Sequence, residues 1–239
     1  MSLIWNELKD AVPMIVHGNP TLLRIIWFTL QVAAVSTAIA ALIGLPIGLA
    51  IGLGRFRGRR AAQVLANASL ALPPALVGTL LFLLCAGGAP LSSLQLIGTR
   101  RVVFVAQTIL ALPYTVALTA AAVQGLPPGL LAQARLLGAG RAQLFVLALR
   151  EARIGVMAAV IAALGTSLSE VAAIAIVGGN IYGYNQTLAS ATLFEVNGGR
   201  YADAVAIAIV LAAMILILMC GLGVLQQRVG IRLRFRPAT

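Results

Sequence analysis

Residues able to do acid, base, nucleophilic or metal chemistry are scarce in this chain. Its 239 residues include 6 acids, the single histidine His17 and the single lysine Lys9. Hydrolysis by a Ser/His/Asp set cannot be assembled from one histidine and six scattered acids. His17 also has no neighbour of metal-ligand type and reads as an interfacial surface histidine, so neither a catalytic residue nor a metal site is expected. A phosphate-binding loop of the GxxxxGK[ST] type needs lysine after glycine, whereas Lys9 follows Leu8, which removes a Walker-type ATPase from this chain. Cys85 and Cys220 both lie in apolar stretches and read as small buried hydrophobes.

The chemistry that remains is gathered in one place. Glu170 is the only acid well inside a predicted membrane span, with Thr166, Ser167 and Ser169 close by in sequence. A carboxylate in lipid costs on the order of 3 kcal/mol on insertion scales, so Glu170 must face protein or water. Two roles stay open for this patch: a stretch of the solute path, or a structural hydrogen-bond hub. An ionised glutamate repels an anionic cargo, which favours the hub in an anion carrier.

The elements that hold this patch are membrane helices. Hydrophobic residues make up 61% of the chain and charged ones 10%, and mean hydropathy is +1.01. A soluble domain runs near a quarter charged and could not hide so much apolar surface in one core. A net charge of +11 would suit nucleic-acid binding only if the arginines formed a face on a soluble domain. They fall instead in short clusters between apolar runs, as in loops facing a cytoplasm, and no nucleic-acid partner is expected. Crossing about 30 Å of hydrocarbon takes roughly 20 helical residues. Five stretches qualify: Leu22–Leu53, Val64–Gly87, Val102–Val123, Ile154–Val177 and Ala204–Leu225. Gly44, Pro46, Gly48 and Gly52 predict a kink in the first, and Pro73-Pro74 predict one in the second.

Orientation follows from the basic residues. The connections after spans one and three, with the C-terminal tail, carry 12 arginines, while the opposite side carries Lys9, Arg24, Arg100, Arg101 and Arg200. The excess places the first group in the cytoplasm and the N-terminus outside, which an odd number of spans requires. Leu3, Ile4, Trp5, Leu8 and Val12 share one helical face, predicting a short amphipathic helix, either lying at the outer interface or packed against the other spans, rather than a cleavable signal. Neither a repeat nor a linker divides the chain, so residues 1–239 read as a single transmembrane domain.

The connection of about 124–153 is long for so small a protein. After the helix-breaking Gly125-Leu126-Pro127-Pro128-Gly129, Leu130–Leu137 reads as a short helix, Gly138-Ala139-Gly140 as a turn, and Arg141–Glu151 as a second helix. Beyond the fourth span, Gly178-Gly179-Asn180 closes the helix, and Tyr184, Asn185, Gln186 and Thr187 read as a polar outer loop.

Ala132-Gln133-Ala134-Arg135-Leu136-Leu137-Gly138-Ala139 resembles the EAA loop of ABC importer permeases, with Ala132 standing for that motif's leading glutamate. Gly44-Leu45-Pro46-Ile47-Gly48, Phe56-Arg57-Gly58-Arg59-Arg60 and Ala71-Leu72-Pro73-Pro74-Ala75-Leu76-Val77-Gly78 resemble permeases of the tungstate importer branch. So do Ala111-Leu112-Pro113, Ser169-Glu170-Val171-Ala172-Ala173 and Val177-Gly178-Gly179-Asn180-Ile181. The related molybdate and sulfate permeases carry glycines where Ser169 and Ala172 stand here. The resemblance covers about residues 20 to 225 and implies an all-α type I ABC importer permease with five membrane helices.

The same resemblance implies that Ala132, Ala134, Gly138, Ala139 and Arg141 belong to the coupling knob that docks into an ABC ATPase subunit. Asn180, Asn185 and Thr187 would stand beside Thr166, Ser167 and Glu170 as pathway or structural residues. It further implies a homodimer in the plasma (inner) membrane of a prokaryote, an extracytoplasmic substrate-binding protein, and ATP bound by the partner subunit, with no cofactor on this chain. The cargo expected is tungstate, with molybdate or sulfate as alternatives. The rival class is a gradient-driven secondary transporter using Glu170 as an ion site, a role that leaves the loop of 124–153 without purpose.

Overall fold

The computed structural model describes residues 20–127 and 129–234, the last six of these by backbone alone. The predicted amphipathic helix at residues 3–12, Lys9 and His17 lie outside the described residues. Among those described, the α-helices are α1 Pro20–Leu53, α2 Arg59–Ser69, α3 Pro74–Cys85, α4 Arg100–Gln124 and α5 Leu130–Leu136. They continue with α6 Arg141–Glu151, α7 Arg153–Ser169, α8 Ala172–Gly178, α9 Leu188–Asn197 and α10 Tyr201–Arg234, and a 3-10 turn occupies Ser92–Leu94.

Helices α1, α4 and α10 are each long and apolar enough to cross a membrane. The other two expected crossings are bent pairs: α2 and α3 meet at 99°, α7 and α8 at 57°, so up to five crossings form if each pair counts as one. The second span is therefore no merely kinked helix. Pro73 holds an extended backbone (φ −62°, ψ 124°), and Pro74 both lacks an N–H and excludes the residue before it from helical geometry. The 12 residues of α3 rise about 18 Å, well short of a bilayer's hydrocarbon.

In the first span α1 runs through Pro46 as one helix of 34 residues. Its glycines serve close packing. A Cβ built on Gly44 would fall 1.9 Å from Thr115 Oγ1, one on Gly48 2.6 Å from the Val116 carbonyl, and one on Gly52 2.7 Å from Val123 Cβ. Small residues every fourth position thus let α4 approach α1, the usual device for helix association in lipid. The Thr115 hydroxyl donates to the Ala40 carbonyl at 2.9 Å along the same seam.

The described residues form two compact units. One takes the residues up to Ser36, Pro73–Leu110 and Gly165–Leu218. Its main core joins Phe28, Val32, Leu81, Val102, Val103, Ala106, Ile174 and Val177, and Phe28 meets Phe104 edge-on at 5.9 Å. Thr29 ties α1 to α9 by accepting the Leu188 N–H at 2.9 Å. The other unit takes Thr37–Leu72, Ala111–Leu164 and the residues from Met219 onward. Its core gathers Leu49, Val123, Ala148, Ala152 and Val156, with a second cluster of Ile51, Val116 and Ala120. By sequence, the first unit's segments balance five basic residues against five acids, whereas the second's hold twelve arginines against Glu151 alone. The net charge therefore belongs to one unit.

The apolar window of α10 is only 11% buried within the chain. Cys220 on that helix is exposed, contrary to the expectation for both cysteines, while Cys85 is buried as expected.

Candidate functional site

The connection between α4 and α7 folds as two short helices around a glycine turn. Gly138 lies in the left-handed region (φ +85°), where a side chain at Cβ is disfavoured and glycine is not. Around it the Ala139 N–H donates to the Ala134 carbonyl at 2.9 Å and the Gly138 N–H to the Arg135 carbonyl at 3.0 Å. This pair of bonds is the Schellman closure of a helix end, with glycine at its left-handed position. The Gly140 N–H is taken up by Gln143 Oε1 at 2.8 Å, which starts α6. Thus Ala134, Gly138 and Ala139 are joined by one closure, Ala132 stands on the exposed side of α5, and Arg141 opens α6 in solvent. At the tip Leu136 and Leu137 are each 88% exposed, an arrangement that leaves two large apolar side chains without cover.

Glu170 stands at the break between α7 and α8, not inside a continuous span. Its side chain is buried, and Oε1 accepts the Ala173 N–H at 2.9 Å. A new helix begins there with backbone N–H groups that need partners, and the carboxylate supplies one where negative charge is favoured. Ser169 is exposed and turns back on the Gly165 carbonyl at 3.0 Å. The Ser167 hydroxyl is buried without a partner among the described residues, and Thr166 is half-buried.

After α8 the chain reverses through Gly179 (φ +72°) and Asn180 (φ +47°). Asn185, Gln186 and Thr187, expected as a polar outer loop, are almost fully buried. Asn185 Oδ1 accepts the Ile181 N–H at 2.8 Å, and its Nδ2 donates to the Gly98 carbonyl at 3.0 Å and to that of Gly178. Gln186 Oε1 accepts from the Gly183 N–H at 3.1 Å. Thr187 caps α9, accepting the Ser190 N–H while Ser190 Oγ accepts that of Thr187. Asn180 Nδ2 reaches the Ser190 carbonyl at 3.0 Å. Their amide and hydroxyl groups thus stand in for missing backbone partners, which is how an irregular segment is kept dry. Glu170, Asn180, Asn185 and Thr187 lie in the same unit, each bonded to nearby backbone, and Asn185 also reaches the distant Gly98 carbonyl.

Several polar residues escaped the sequence reading. Glu195, buried on α9, pairs with Arg200, and that hydrogen bond lifts the guanidinium above its ordinary value despite partial desolvation. They line a cavity of about 500 Å3 with Thr21, Tyr182 and Asp203. Arg100 stacks on Phe28 and Tyr184, 5.0 and 5.1 Å from the ring centroids, and donates to the Tyr184 carbonyl at 2.7 Å. Gln107 on α4 is fully buried with both amide atoms unpartnered among the described residues.

The family described as "Binding-protein-dependent transport system inner membrane component" matches residues 44–231. A "Probable anion ABC transporter permease protein" of Haloferax volcanii is 33% identical, covering 79% of this chain and 83% of the relative. A "Tungstate uptake system permease protein TupB" of Campylobacter jejuni is 30% identical over 92% of this chain and 91% of its own. Among solved structures, the inward-facing MetNI methionine ABC transporter matches with TM-score 0.70 at 21% identity, covering 87% of this chain and 95% of that one. A bacterial ABC transporter importing alginate matches with TM-score 0.73 at 16% identity, over 92% of this chain and 83% of that one. At those identities the structures bear on the fold, which is that of ABC importer permeases.

Proposed function

Because the chain belongs to the family of inner membrane components of binding-protein-dependent transport systems, we propose that it is the permease subunit of an ATP-driven oxyanion importer, with tungstate as cargo. It is a multi-pass integral protein of that membrane and a transport subunit rather than an enzyme. The cargo reading rests on relatives whose names specify an anion or tungstate and which align over four-fifths or more of their own length. Among the described residues no arginine stands deep in an apolar span to grip an anion, so contact with the cargo is weak and affinity belongs to a soluble binding protein outside the membrane.

The observation that carries the mechanism is the closed turn at Gly138, which holds Leu136 and Leu137 out in solvent. These two side chains, with Ala132, Ala134, Ala139 and Arg141 behind them, make the surface on which a separate ATP-binding subunit rests. Two copies of the chain form the pathway, and closure of two ATPase subunits on ATP draws the two knobs together. A rigid knob transmits that displacement because α6 is joined to α7 by one residue, Ala152, which is itself buried in the core. The spans then open outward to receive the anion from the binding protein. The twelve arginines of the second unit put its segments on the cytoplasmic side. Glu170 serves to hold the α7–α8 break through Ala173, away from direct contact with the anion.

The test is assembly. Leu136→Asp with Leu137→Asp leaves the core untouched, since both side chains are exposed, and is expected to abolish co-purification with the ATPase subunit while the permease still inserts. Undiminished co-purification and uptake would remove the knob from the interface.

A further inference from the structure

The arginines of the second unit include a group that coupling leaves unused. A cavity of about 440 Å3 opens where α1 and α4 end, lined by Arg55, Arg59 and Arg135 together with Gly54, Gln124 and Ala132. That volume falls within the roughly 300–1,000 Å3 usual for small-ligand sites. No carboxylate is among its lining residues, and Glu151 is the one acid in that unit's sequence.

The three guanidinia are not equivalent. Arg59 is committed to structure: its Nε donates to the Ile51 carbonyl at 2.8 Å and its Nη2 to that of Gly52 at 3.1 Å, closing the end of α1. Arg55 and Arg135 are exposed, and among the described residues their guanidinia make no ion pair or hydrogen bond. Three like charges around one concavity raise its positive potential and attract an anion. The planar fork of arginine matches phosphate oxygens two at a time. The cavity also opens where the apolar stretches of α1 and α4 give out and a run of basic residues begins, the pattern that draws anionic headgroups. Beside it in sequence Phe56, Val64 and Leu65 are 49%, 65% and 70% exposed, apolar surface suited to acyl chains.

We propose that this cavity binds a phosphoryl oxyanion between the Arg55 and Arg135 guanidinia, with Arg59 as the fixed third charge. The anion has two possible sources, the headgroup of an anionic phospholipid or free phosphate in solution. The proposal is independent of which cargo the permease carries.

The test uses the full chain purified in detergent. Binding of phosphatidylglycerol and of phosphatidylcholine is followed by native mass spectrometry, and binding of inorganic phosphate by thermal shift. The parent is expected to retain phosphatidylglycerol over phosphatidylcholine, or to be stabilised by phosphate. Arg55→Gln/Arg135→Gln is expected to weaken that binding on the order of tenfold. It keeps both Arg59 bonds, so its ligand-free melting temperature should match the parent. Arg55→Lys/Arg135→Lys, which keeps charge but loses the fork, is expected to fall between them and serves if the glutamine variant is unstable. Retention of phosphatidylglycerol without a phosphate response assigns the lipid source, and the reverse assigns the soluble one. Absence of both, or binding unaltered in every variant, overturns the proposal. So would a variant defective only in joining its ATPase subunit, which would give these arginines to a protein partner.

Discussion

Replacing Gly138 by valine isolates a backbone effect at the centre of the coupling knob. No atom lies within 4 Å of a Cβ built there, so the substitution meets no steric obstacle from neighbours. What it meets is the φ of +85°, a region that costs an L-residue about 1–2 kcal/mol and a β-branched one more. Relief requires leaving the left-handed turn, which gives up the Ala139–Ala134 and Gly138–Arg135 bonds, each worth about 1 kcal/mol. At roughly tenfold per 1.4 kcal/mol, the population of the closed turn falls by about one to two orders of magnitude. The exposed tip then no longer presents Leu136 and Leu137 in a fixed direction. The assay is uptake per ATP hydrolysed in proteoliposomes holding the permease, its ATPase and its binding protein. Valine should lower that ratio severalfold or more without reducing the amount of inserted permease. Asparagine, which tolerates the left-handed region, should lie much closer to the parent. A valine variant with the parent's ratio would refute transmission through a rigid turn.

Further outcomes follow from the packing and the local bonds. Gly48→Leu drives a Cβ to 2.6 Å from the Val116 carbonyl, and it should cost about 1–3 kcal/mol and lower the melting temperature in detergent, whereas Gly221→Ala, with open space around it, should not. Glu170→Gln keeps an oxygen for the Ala173 N–H and should preserve uptake, while Glu170→Leu orphans that donor at about 1–3 kcal/mol and should lose it; equal loss in both would make the charge itself functional. Thr187→Ala removes the cap of α9 and should destabilise the protein by about 1 kcal/mol in a chemical or thermal melt, with no change in cargo preference.

Local signals were the legible ones. The α5–Gly138–α6 knob could be placed to within a residue because helix breakers, a glycine turn and short helical stretches all act over a few positions. Pro73-Pro74 announced a break but not its angle, since the 99° turn depends on where α2 and α3 separately find their packing partners. The break at Glu170 carried no helix-breaking residue at all. A side chain there satisfies the first turn of α8 through a bond between residues only three apart, made by a glutamate rather than by one of the usual capping residues. Gly44, Gly48 and Gly52, which in the sequence point with Pro46 to a kink, also form a contact surface against α4, and spacing alone does not say which neighbour fills the space. Asn185, Gln186 and Thr187 looked like a wet loop because polar residues usually face water. Here they replace backbone partners inside a dry reversal of the chain. The arginine clusters reveal sidedness in the sequence, and those among the described residues after α1, between α4 and α7 and at the end of α10 fall in the segments of a single compact unit.

The central claim is that this chain is the membrane path for an oxyanion. Uptake of trace tungstate tests it most directly, in cells carrying this chain with its ATPase and binding protein and in cells lacking only this chain, with molybdate and sulfate as competitors. Loss of uptake on removing the chain, with resistance to excess sulfate in the intact system, is the predicted result. Tungstate uptake undiminished without the chain would contradict the proposed cargo, and unchanged uptake of all three anions would contradict the oxyanion pathway itself.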